Sequence, residues 1–71
     1  MNKKYYADID LYFDTRKYGI VGELGTKKTE IVDMVKNFGK ERKFTCDTKS
    51  KKFFDATGKE VGRFTIASRT I

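Results

Sequence analysis

The chain has no histidine, no proline and no tryptophan, and a single cysteine, Cys46. Without histidine, the side chain that most readily exchanges a proton at neutral pH is missing. A lone thiol closes no internal disulfide and, with no imidazole or second thiol beside it, assembles no zinc site. No apolar run approaches the ~20 residues that a membrane-spanning helix needs. Lys3 and Lys4 are followed by Asp8 and Asp10 rather than by an apolar segment, so no ordinary signal peptide is expected. Nucleophile elbows, phosphate-cradling glycine loops and metal-binding helix motifs are absent. These gaps together argue against an enzyme, a metal centre or a bound cofactor, and they make a cytoplasmic protein with no membrane partner the expectation.

What is present points to a small folded unit. Seventy-one residues make one expected domain, 1–71, and a chain of this length buries only ~60% of its unfolded surface. Ten aromatic residues, six Phe and four Tyr, supply much burial per residue, which suits a thin core. The charge is unevenly placed. Residues 1–35 carry six Lys/Arg and six Asp/Glu, whereas residues 36–71 carry ten and four, so the whole +6 belongs to the second half. Positive potential of this kind bears on partners rather than on fold.

Hydrophobic periodicity sets the elements. Residues 5–13 alternate, with Tyr5, Ala7, Ile9, Leu11 and Phe13 on one face and Tyr6, Asp8, Asp10 and Tyr12 on the other, as in a half-buried strand. A turn at 14–17 and a strand over 18–24, with Ile20, Gly22 and Leu24 inward, complete a hairpin. Gly19 and Gly22 mark a bulge or a close backbone approach within it. Thr29 is the expected N-cap of a helix over 29–38, Glu30 adds charge to its first turn, and Gly39 is the expected stop. Ile31, Val35 and Phe38 form its apolar stripe. Three more strands follow, over 42–47, 51–55 and 60–67, with a hairpin turn at Asp55–Lys59. The expected class is α+β, order ββαβββ, an antiparallel sheet with the helix on the Ile9 face. The pattern leaves open whether there is one sheet or two. The expected core is Ile9, Leu11, Phe13, Ile20, Leu24, Ile31, Val35, Phe38, Phe44, Phe64 and Ile66.

Two surfaces stand out as candidate sites. Lys40, Arg42, Lys43, Lys49, Lys51, Lys52 and Arg63 form a basic strip suited to a phosphate backbone. One of Phe53 and Phe54 faces away from the core if the strand is regular, and an exposed ring among lysines is a platform on which a single-stranded base stacks. The expected function is therefore a non-enzymatic nucleic-acid-binding module, for DNA or RNA. The alternative is a small interaction or inhibitor module that docks another protein through Tyr6, Asp8, Asp10 and Tyr12, since tyrosines are favoured in interfaces. Asp8 and Asp10 read as the polar face of a strand rather than as a metal pair, and Cys46 as a core residue beside Phe44. A monomer is expected because lysines line most candidate sheet edges, with a homodimer as the other possibility. In size, in its twelve Lys to four Arg and in lacking enzymatic motifs, the chain resembles accessory proteins of phages and mobile elements.

Overall fold

The alternating segment forms β1 (Lys3–Leu11), which turns back into β2 (Lys17–Val21). The 14-residue helix α1 (Lys28–Glu41) follows, then β3 (Thr45–Asp47), β4 (Lys52–Phe54) and β5 (Glu60–Thr70). This computed structural model describes residues 3–70. The five strands make one antiparallel sheet in the order β2-β1-β5-β4-β3. The two β regions are joined because β5 returns alongside β1 over nine facing pairs, from Lys3↔Thr70 to Leu11↔Gly62. No helix among the described residues is long and apolar enough to cross a membrane.

The helix covers one face of the sheet, the Ile9 side. Ala7, Ile9 and Leu11 of β1, Ile31 and Val35 of α1, Phe53 of β4 and Phe64 of β5 form the buried core. Tyr5, Tyr18, Ile20, Phe38, Phe44, Cys46, Val61 and Ile66 pack around it, half-buried. Two residues expected in the core lie outside it. Phe13 falls beyond the end of β1 and is 67% exposed, with its ring edge-on to Phe44 at 6.1 Å. Leu24 is 52% exposed because β2 ends at Val21 and the chain leaves the sheet before reaching it.

The helix ends also differ from the expectation. Its N-cap is the extended Lys27, whose carbonyl accepts from Glu30 and Ile31, and Thr29 lies inside the first turn without capping. Gly39 does not stop the helix. It is buried within the last turn, where an added Cβ would stand 2.8 Å from Cε1 of Phe53. The missing side chain is a notch for that ring. Gly22 acts similarly: a Cβ there would stand 2.6 Å from Cδ1 of Ile31, so it is a close approach and not a bulge.

The true stop is a Schellman motif. Phe44 donates its N–H to the Gly39 carbonyl (2.8 Å) and Lys43 donates to Lys40 (3.0 Å). The left-handed position that glycine usually fills is occupied by Lys43, at φ 61°.

The β1–β2 turn is held by Asp14. Its carboxylate accepts from the Tyr18 hydroxyl (2.6 Å), from the Arg16 backbone N–H (2.9 Å) and from the Arg16 guanidinium (3.2 Å). These donors, the Tyr18 hydroxyl first, hold the Asp14 carboxyl well below the usual carboxylate range. A lowered native pKa means that the unfolded state binds the proton more readily. The contribution is then complete above the unfolded value of about 3.9 and is lost as pH falls towards the native value. Asp14→Asn is expected to flatten the fall in the urea midpoint between about pH 5 and pH 2, measured alongside the wild type.

Candidate nucleic-acid interface

The face of the sheet away from the helix is open, and its register assembles a row of charge across all five strands. Lys17 lies opposite Asp10, Asp10 opposite Arg63, Arg63 opposite Lys52, and Lys52 opposite Asp47. Much of this charge is satisfied internally. Arg63 Nε stands 3.8 Å from Asp10 Oδ2, and Lys52 Nζ stands 3.0 Å from Glu60 Oε1. The Tyr12 hydroxyl also donates to Glu60. That bond and Lys52 lower the Glu60 carboxyl, and it raises the Tyr12 phenol. The face is thus mixed in sign. An expected polybasic strip running along the sheet is not what the fold builds.

Phe53 takes no part in this face. It is fully buried (0% exposed), with its ring 6.1 Å from Phe38 and 5.3 Å from Phe64, and it is removed from the base-stacking candidates. Phe54 is the outward ring, half-buried between its register neighbours Thr45 and Glu60.

Five of the lysines without an ion pair lie on or next to the elements around β3 and form its flank. Lys3, Lys4, Lys17, Lys27, Lys28 and Lys59 are likewise unpaired among the described residues and lie elsewhere. Lys36 lies on the helix close enough to β3 to pull the Cys46 thiol down, against a larger upward push from burial. Lys40 is one turn further on the same helical stripe. Lys43 precedes β3, and Lys49 and Lys51 lie in the turn that follows it. Six residue steps, including the three-residue β3, separate Lys43 from Lys49, a span of at most about 20 Å at ~3.3 Å per residue. Among the described residues none of these five lysines forms an ion pair. Of the acids nearby, Asp47 accepts from the Lys49 and Ser50 backbone N–H groups, which lower its carboxyl, and Glu41 lies 4.0 Å from Arg42, while Asp33, one turn before Lys36, has no partner among the described residues.

Arg42 is set apart from the flank. Its guanidinium sits 3.7 Å over the Phe38 ring and 5.3 Å from that of Tyr18, and donates to the Phe38 carbonyl at 3.2 Å. It closes the helix end against β2. The seven basic residues read from sequence therefore divide. Lys40, Lys43, Lys49 and Lys51 share the flank, Lys52 and Arg63 lie on the outer face in ion pairs, and Arg42 stacks on aromatic rings. Lys36 joins the flank, and its i, i+4 spacing to Lys40 is the signal that assigns it there.

Two of the flank lysines are conformationally unusual. Lys43 (φ 61°) and Lys51 (φ 59°) are the only non-glycine residues among those described with positive φ. A left-handed residue bearing a Cβ costs ~1–2 kcal/mol. Part of that cost would persist as unfolded-state entropy if glycine replaced it. Lys43→Gly and Lys51→Gly are each expected to raise stability by about 0.5–1 kcal/mol, read from urea denaturation with unchanged m.

Tyr6, Asp8 and Asp10 lie on the outer face of β1, with Tyr6 half-buried, and Tyr12 follows the end of the strand, exposed. Asp8, Asp10, Lys17, Arg63 and Thr65 rim an open groove of about 570 Å³. No group of three or more acidic or thiol side chains arranged to hold a metal ion occurs among the described residues. Comparison with protein-family models, curated proteins and solved structures finds no match.

Proposed function

We propose that the protein is a non-enzymatic nucleic-acid-binding module whose phosphate contacts are made by the flank beside β3: Lys36, Lys40, Lys43, Lys49 and Lys51. The observation that carries this reading is the pair of left-handed lysines. Both sit where glycine would be the more stable choice, both lie beside β3 where Lys36, Lys40 and Lys49 are also without an ion pair among the described residues, and strain of this kind collects at functional positions. Lysine is a strongly hydrated point charge, suited to phosphate oxygens rather than to base edges. Phe54, on the neighbouring strand, offers part of a ring on which a base would stack.

Five phosphate contacts release counterions, so log affinity should fall against log salt with a slope of about −3.5 for a single strand and about −4.5 for duplex DNA. Anisotropy titrations of labelled single- and double-stranded oligonucleotides at several salt concentrations measure it. No binding at low salt, or a slope near zero, rejects the reading. The protein-docking alternative draws on the outer groove rimmed by Asp8 and Asp10. It is supported if a protein partner survives nuclease treatment and is lost on Tyr6→Ala with Tyr12→Ala.

A further inference from the structure

β2 is an edge strand, and it lacks the devices that usually blunt an edge. It has no proline, no bulge against β1 and no charge between Lys17 and Val21, and Val21 is 66% exposed. The other margins are guarded. β3 is three residues long, and the β5 margin beyond Phe64 lies next to Lys51, with Arg69 on it.

The pairing of β2 with β1 fixes which of its backbone groups are free. Gly22 donates to the Tyr5 carbonyl at 2.8 Å, so the hydrogen-bonded pairs alternate as Tyr5/Gly22, Ala7/Ile20 and Ile9/Tyr18. The N–H and C=O groups of Lys17, Gly19 and Val21 therefore point away from the sheet. A two-fold axis between copies can fall on a residue of this set or on Tyr18 or Ile20 between two of them, and the register centred on Gly19 pairs the most outward residues. That register faces Gly19 with its own copy and Lys17 with Val21 of the second molecule. It forms about six backbone hydrogen bonds, two from each of three pairs.

We infer that β2 pairs antiparallel with β2 of a second copy about Gly19, giving a ten-stranded sheet with both helices on one side. Charge selects a second copy as the occupant. Residues 1–35 are neutral, so this edge meets its twin without the repulsion that the +6 of the second half would cause. The register also brings the Arg16–Lys17 end of each strand beside the Glu23 end of the other. Gly19 fits the assignment: its φ is ordinary and an added Cβ would meet only the Ala7 carbonyl, at 3.9 Å. The isolated fold therefore does not require a glycine there, and a glycine in a strand interior often marks a close backbone approach. The inference stands independently of nucleic-acid binding.

The test is mass by sedimentation equilibrium between about 10 µM and 1 mM, spanning the affinity expected of a short pairing. Mass should rise from 8.2 kDa towards twice that value. Val21→Lys sets a lysine opposite Lys17 twice over while its own side chain stays on the exposed outer face, and should hold the protein at monomer mass. Gly19→Cys, in a Cys46→Ala background, should give a disulfide-linked dimer under mild oxidation, because facing Cα atoms ~5.5 Å apart lie within disulfide range. Thr29→Cys, on the exposed helix, should not. Should Val21→Lys fail to fold, the Gly19→Cys crosslink decides alone. Monomer mass throughout, association unmoved by Val21→Lys, or crosslinking as fast at Thr29→Cys as at Gly19→Cys overturns the inference.

Discussion

Phe53→Ala is expected to lower the stability of the fold by about 3–5 kcal/mol. The ring is fully buried, tilted against Phe38 and Phe64, and seated in the notch at Gly39 with Gly62 as its register partner on β5. Removing a buried Phe costs ~3–5 kcal/mol when the cavity does not collapse. At ~0.05–0.15 kcal/mol per residue, a chain this short has only roughly 4–10 kcal/mol in total. The loss is thus a large share of all the stability available. Phe38→Ala should cost less, because that ring is only half-buried and is partly covered by Arg42. Circular dichroism with urea unfolding of both variants measures the order. A loss below 1 kcal/mol for Phe53→Ala would mean that the Gly39 notch does not hold the ring.

The second large effect is on binding. Changing Lys43, Lys49 and Lys51 together to Glu removes three phosphate contacts and places like charge against the backbone. If each lysine neutralises one phosphate, removing three lowers the magnitude of the salt slope by about 2–3. Affinity at low salt should fall by more than about 100-fold. The three side chains are exposed, so the fold should persist, as circular dichroism would register. The charge reversal and the glycine variants then separate stability from function. Lys43→Gly with Lys51→Gly should be more stable than the wild type and bind more weakly. Glycine variants that are more stable and bind as tightly would detach the strain from the function.

The class, the order of elements and the helix-covered face are legible in the alternation of β1 and the stripe at Ile31 and Val35, because these periods are long enough to be unambiguous. The misplacements have local causes. Phe53 and Phe54 are adjacent on a three-residue strand, and a one-residue shift exchanges their faces, so only the pairing Cys46↔Phe53 and Phe53↔Gly62 decides between them. Gly39 carries the composition of a helix stop but sits one turn early, since its missing side chain serves the Phe53 ring rather than the backbone. The stop itself uses a lysine in a glycine position, which no propensity signals. The basic residues were visible as a run. Their division between flank, ion pairs and the Arg42 stack depends on which side of the sheet each strand presents, and that follows from the β4–β5 bulge at Phe53/Phe54 and from the helix length.

The most direct test of the flank assignment is an amide chemical-shift titration of the isotope-labelled full chain with a short single-stranded oligonucleotide at low salt. Shifts should gather at Lys36, Lys40, Lys43 and the Lys49–Lys51 turn, extend to Phe54, and collapse on adding salt. Shifts confined to Tyr6, Asp8, Asp10 and Thr65 on the outer face, or none at all, would contradict it.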